Sequence, residues 1–157
     1  MTINMSELVR GGTVCLNTAA LAVGSSGATI DIAGTDPAGV NFCINGIMYW
    51  KANAASEDPS DNSVQAELTS CLYLVCLDYE GTLTTVKGTE VVTADITSEE
   101  KVLTWPIPTE DTCCIGAVRV DTDDGYTFTM GTTELSAAGI TDTYYNLFAV
   151  PDTPLTS

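Results

Sequence analysis

The chain has 157 residues, with 5 Lys and Arg against 21 Asp and Glu and no histidine, for a formal charge of −16. A chain of this length forms one domain burying about 70% of its unfolded surface, and its apolar content of 45% is too high for a disordered acidic tail. The charge argues against wrapping a nucleic-acid backbone, where affinity comes from Lys and Arg displacing counterions, and the missing histidine removes the commonest general base and metal ligand.

In chain order, residues 1–12 are mixed in character, end in Gly11-Gly12, and read as an N-terminal arm or a first edge strand. Residues 13–157 read as one all-β domain. Within it, 14–16 and 28–32 are strand-like, parted by the flexible Gly24-Ser25-Ser26-Gly27. Residues 40–44 and 47–51 flank Asn45-Gly46, the pair that supplies the positive φ angles of a type I′ turn, so a two-residue hairpin is expected. Its register sets Ile44 against Ile47, Cys43 against Met48, Phe42 against Tyr49 and Asn41 against Trp50. One face can meet the core, while the other, carrying Cys43, Met48 and Trp50, requires a second layer or a partner chain.

Residues 53–65 are the most polar stretch and read as a long exposed loop. Residues 71–78 are apolar on both faces, hence a central strand, and Glu80-Gly81 turns the chain into a return strand at 82–86. Further strands are expected at 102–105, 115–121, 126–130 and 144–150, with one helical turn at 133–138. The whole is a single compact β-sandwich or β-barrel of about 8–10 short antiparallel strands. Residues 71–108 also align with 114–151 at a spacing of about 43 to 45, matching Cys71, Val75, Asp78, Gly81, Gly88 and Thr89 with Cys114, Val118, Asp121, Gly125, Gly131 and Thr132. Such a duplicated hairpin unit, set against convergence of generic hairpins, stays open at this level.

The acids gather in groups: Glu57, Asp58 and Asp61; Glu99 and Glu100; Glu110 and Asp111; Asp121, Asp123 and Asp124. Evenly spread net charges would stand on the order of 20 Å apart, beyond the ~8 Å Debye length at physiological salt, so clustering matters more than the total. Each group adjoins Pro, Gly, Ser or Thr and reads as a solvated loop. The cysteines, Cys15, Cys43, Cys71, Cys76, Cys113 and Cys114, are even in number. Three of them nevertheless sit in apolar strand runs, Cys113 and Cys114 are adjacent, and neither a Cys-x-x-Cys pair nor a histidine completes a zinc site. They read as small buried hydrophobes kept reduced in a cytoplasm. Residues 14–23, interrupted by Asn17 and Thr18, make a poor signal-peptide core and are too short to span a bilayer.

Little in the sequence points to catalysis. A Ser-His-Asp triad and Cys-His activation both need histidine. Two carboxylates about 5 to 10 Å apart could cleave a glycosidic bond, but no pair stands out and aromatics are few. Asp121-Thr122-Asp123-Asp124-Gly125 puts glycine where a calcium loop needs a ligand and reads as a hairpin turn. Lys87-Gly88-Thr89 lacks the preceding glycine spacing of a phosphate loop. The expectation is a non-enzyme with no catalytic residue, cofactor or metal ligand.

The hairpin VNFCINGIMYWKA, the segment CLYLVCLDYEGTLTTVKGTEVVTADIT and the closing GTTELSAAGITDTYYNLFAVPDTPLT together resemble small virion structural proteins of tailed bacteriophages, particularly those that bind the outside of the head. The resemblance covers most of residues 40–157. It implies a capsid decoration or cement protein, synthesised in the host cytoplasm and localised to the capsid surface of the virion. The implied partners are the major capsid protein or another virion protein and further copies of the chain, as a dimer or trimer, with no nucleic acid and no membrane. Members differ in fold, so the resemblance leaves sandwich and barrel open. Candidate contact residues are Met5, Leu8, Val9 and Arg10 in the arm, which could pair with an exposed strand edge, and Cys43, Met48 and Trp50 on the hairpin. The alternatives are a tail, baseplate or fibre-attachment module, and a carbohydrate-binding β module. The last needs an aromatic platform, whereas the adjacent pairs Tyr49-Trp50 and Tyr144-Tyr145 would point to opposite faces of their strands.

Overall fold

The computed structural model describes residues 12–35, 38–59 and 63–155. Among these, thirteen strands and one short helix follow in order: β1 (Val14–Cys15), β2 (Ala22–Val23), β3 (Ile30–Ile32), β4 (Val40–Ile44), β5 (Ile47–Lys51), β6 (Ala54–Glu57), β7 (Val64–Gln65), β8 (Thr69–Leu77), β9 (Leu83–Lys87), β10 (Val91–Val92), α1 (Thr93–Thr97), β11 (Cys113–Thr122), β12 (Phe128–Thr129) and β13 (Ile140–Asn146). They form four antiparallel sheets: β1-β4-β5, β2-β3-β6, β7-β12, and a larger one ordered β10-β8-β11-β13 with β9 also on β8. The fold is all-β, and none of these sheets closes into a barrel.

The larger sheet is covered on both faces because its central strands are apolar on both. Every residue of β8 is buried, as expected of a central strand. Its odd-numbered side chains Cys71, Tyr73, Val75 and Leu77 enter the main core, shared with Ile30, Ile32, Val40, Phe42 and Ile44 from the smaller sheets. Its even-numbered Leu72, Leu74 and Cys76 face the other way, under α1 and irregular chain supplying Ile96, Leu103, Trp105, Leu147, Val150 and Leu155. β11 joins both layers through a register shift between Cys114 and Gly116. Ile115 is the residue without a partner on β8, and the shift lets Cys113 and Ile115 on one side, and Val118 and Val120 on the other, all reach the main core despite opposite parity. Gly116 is needed at the shift, since a Cβ there would lie 2.4 Å from Leu21 Cδ1 and 2.7 Å from the Tyr145 carbonyl oxygen.

Three expectations are corrected. Residues 53–65 are not one long loop: β6 pairs with β3, β7 pairs with β12, and Gln65 is fully buried. Residues 102–105 form no strand, because Pro106 and Pro108 lack the N–H that a ladder requires; Leu103 makes only an isolated bridge with Leu155. The helix is at Thr93–Thr97, held by burial of Ile96 against Leu72 and Leu103, whereas 133–138 folds as successive turns before Gly139. The strand expected at 126–130 is shortened to Phe128–Thr129 as β12, and the one expected at 144–150 overlaps β13 only at 144–146, since β13 begins at Ile140 and ends at Asn146, ahead of Pro151.

The two segments aligned in sequence begin on neighbouring strands, β8 and β11, which pair across Leu74 and Ala117. Their outer partners differ. β8 takes β9, reached by a tight turn at Asp78, whereas β11 takes β13 and leaves β12 to pair with β7.

Candidate functional site

The β4–β5 hairpin has the expected register at all five pairs, from Val40 opposite Lys51 to Ile44 opposite Ile47. Asn45 and Gly46 take φ of 52° and 81°, the left-handed values that a type I′ turn imposes. The turn is tied down by its neighbours. The Asn45 N–H donates to Thr13 Oγ1 at 3.1 Å, and Asn45 Nδ2 donates to Asp111 Oδ1 at 3.0 Å. Val40, Phe42 and Ile44 point into the core, where Tyr49 stacks on Phe42 at 5.7 Å.

The opposite face carries the hairpin residues singled out from sequence. Cys43 and Met48 are cross-strand neighbours, with Trp50 two residues along on the same face. Met48 is 66% exposed, Trp50 60%, and Cys43 half-buried. Trp50 is held in place: its Nε1–H donates to the Ala38 carbonyl at 3.3 Å, and Gly39, at φ 103°, leaves room for the indole where a Cβ would lie 2.8 Å from Nε1. Met5, Leu8, Val9 and Arg10 lie outside the described residues.

Sequence reasoning missed Ile47, 59% exposed because it leaves the core at the turn end of β5. It also missed Ile107 and Phe148, whose signal was the prolines beside them: Pro106 and Pro108 around Ile107, and Pro151 soon after Phe148. These two line an open groove of about 1090 Å³ between residues 104–112 and 148–154 that reaches Asn45. Glu110, Asp111 and Asp152 line it, with no lysine or arginine. Trp105 there packs edge-on against Tyr145 and donates its Nε1–H to the Thr153 carbonyl, so its ring is not a free platform. Tyr144 faces the main core and Tyr145 the opposite layer, as strand alternation requires.

Electrostatically, each described cation is paired: Lys51 with Glu57 at 2.9 Å, Lys87 with Glu90 at 2.6 Å, Lys101 with Asp95 at 2.7 Å and Arg119 with Asp121 at 2.9 Å. Burial alone would raise the Glu90 carboxyl, but hydrogen bonds from Lys87 and the Ala66 N–H, with the Lys87 charge, hold it below its ordinary value. The remaining surface charge is acidic; Asp58, Glu99, Glu100, Glu110, Asp111, Asp123 and Asp124 are all exposed.

Compared with protein-family models, curated proteins and solved structures, the chain matches none. The site therefore rests on its own geometry. Around the Asp121–Gly125 run, Arg119 holds Asp121, the Asp123 carbonyl accepts from the Tyr126 N–H, and the Gly125 N–H donates to Glu67 Oε2 at 2.8 Å. This is a turn, but it leads to β12 and not to a hairpin partner of β11. Among the described residues, no group of three or more Cys, Asp or Glu is placed to hold a metal ion, and no helix is long and apolar enough to cross a membrane. Five of the six cysteines are buried, and Cys43 is half-buried.

Proposed function

We propose that this chain is a non-enzymatic structural protein of a tailed-phage virion that binds the outside of the capsid as a decoration protein. The observation that carries this reading is the cluster of exposed apolar side chains on β5. A fixed apolar edge bearing Ile47, Met48 and Trp50 stands on a body whose described cations are all neutralised by carboxylates. The edge supplies a contact; the acidic remainder repels DNA and anionic headgroups, a useful property for a face turned outward on a crowded particle. The resemblance of residues 40–157 to head-binding virion proteins supplies the candidate partners, the major capsid protein or another capsid component together with further copies of the chain.

The test is to mix the purified protein with empty capsids and locate added density by electron microscopy. Regular density on the outer shell is expected; its absence overturns the capsid assignment. Trp50→Asp is expected to weaken co-sedimentation with capsids at least tenfold while leaving circular dichroism unchanged. Deletion of residues 2–10 separates an arm contact from a hairpin contact.

A further inference from the structure

We propose that β5 is a self-pairing edge: two copies of the chain join β5 to β5 antiparallel, giving a continuous six-stranded sheet ordered β1-β4-β5-β5-β4-β1. This rests on reading the hairpin as a contact face and narrows the partner of its free edge to a second copy.

Three features of β5 carry the inference. The first is the main chain. Among the described residues β5 ends its sheet, and its two-residue turn closes on a hydrogen-bonded Ile44–Ile47 pair. Alternation then directs the Tyr49 and Lys51 main-chain groups toward β4 and those of Met48 and Trp50 out of the free edge. An open row of this kind is a template for another strand.

The second is self-complementarity. A two-fold axis at Tyr49 places Met48 of each copy opposite Trp50 of the other. The outward main-chain groups of those residues then meet in two hydrogen-bonded pairs, and thioether and indole pack side by side on the same face, twice. Ile47 falls opposite the stem of Lys51, whose charge is already held by Glu57.

The third is charge. Residues 38–51 contain no carboxylate in a chain that carries 21, and of the acids bonded to the hairpin Glu57 is neutralised by Lys51 and Asp111 lies at the turn, so two acidic molecules meet here with little repulsion across the seam. The end strands β6 and β13 of other sheets carry Glu57 and Asp142. The exposed side chains offer roughly 400 Å² per copy against the ~800 Å² per partner of a standard interface, which makes the dimer a concentration-dependent equilibrium.

Sedimentation equilibrium of the full chain across a concentration series, at low and at physiological salt, tests this. A monomer–dimer equilibrium is expected, tightened by salt because screening weakens repulsion between the two −16 charges. Met48→Pro removes only an edge-facing N–H, so it should weaken the dimer at least tenfold with an unchanged melting temperature. Met48→Lys, which needs no proline in the strand, is expected to do the same and stands in if the proline variant misfolds. A wild-type chain that stays monomeric up to several hundred micromolar overturns the proposal, as does a trimer, since a two-fold edge closes at two copies. So does a folded Met48→Lys variant that dimerises like wild type. Capsid co-sedimentation separates the two readings: a monomer that still decorates capsids sinks self-pairing alone, whereas a dimer that ignores capsids sinks the decoration role alone.

Discussion

Gln65 uses both amide donors and its carbonyl oxygen without touching solvent. Its Nε2 donates to the carbonyls of Thr69 and Val120, both at 3.0 Å, and its Oε1 accepts from the Tyr73 hydroxyl at 3.1 Å. Beside it, Thr122 Oγ1 donates to the Ala66 carbonyl at 2.7 Å and accepts from the Thr69 N–H, so β7, β8 and β11 are stapled by polar groups inside an apolar core. A half-satisfied network of this kind costs more than none. Gln65→Met is therefore expected to cost about 1–3 kcal/mol, by removing three buried hydrogen bonds, and to lower the urea midpoint without changing the slope of the transition. This residue was illegible in the sequence, because a glutamine at the end of a polar run gives no local sign of the tyrosine eight positions on that will bind it.

At the scale of elements, legibility followed local chemistry. Asn45-Gly46 dictates its turn and hence the register of β4 and β5, so the face shared by Cys43, Met48 and Trp50 could be read in advance. β8 could be recognised as central because both of its faces are apolar. What escaped was pairing over distance. β7 finds β12 more than sixty residues later, and the return partner of β11 is β13 and not the next strand along. Neither is encoded in a periodic pattern. The irregularity at Cys114–Gly116 belongs to the same class, since only the packed neighbours reveal why it is there. Gly116→Ala is expected to destabilise the protein by about 1–3 kcal/mol, because the new methyl meets Leu21 and the backbone of β13. In a Leu21→Ala background, which removes the nearest atoms, the further loss from Gly116→Ala should shrink; an unchanged loss in chemical denaturation would show that crowding at Gly116 is not the cause.

For the molecule as a whole, the buried thiols and one phenol set an alkaline limit. Desolvation pushes Cys113 up from 9.0 to about 12 and also raises Cys15. Cys114 is raised well above 9.0 by its contact with Cys76 and by burial, and Tyr144 is raised by burial and by Asp142. The folded chain keeps these groups protonated at pH values where the unfolded chain releases their protons. Their contribution is thus fully present below about pH 9.0 and is lost as pH climbs toward about 12. Urea midpoints are expected to fall steadily above pH 9, with a shallower decline in Cys113→Ala; a flat profile to pH 11 would contradict the burial of these groups. The large net charge adds self-repulsion, which salt relieves.

The order of the strands also bears on how a cell makes this protein. β11 emerges from the ribosome with β8 already available on one side, but its other neighbour, β13, follows only after the detour through β12. At about 5–20 residues per second, the seam beside β11 stays open for on the order of seconds on every nascent chain. The residues bordering it, Ala117, Val118 and Val120, are among the most completely buried in the finished protein. Synthesis thus passes through a stage in which the core strand is itself an adhesive edge, and high-level expression would favour growth at lowered temperature or a holding chaperone until the last strand arrives.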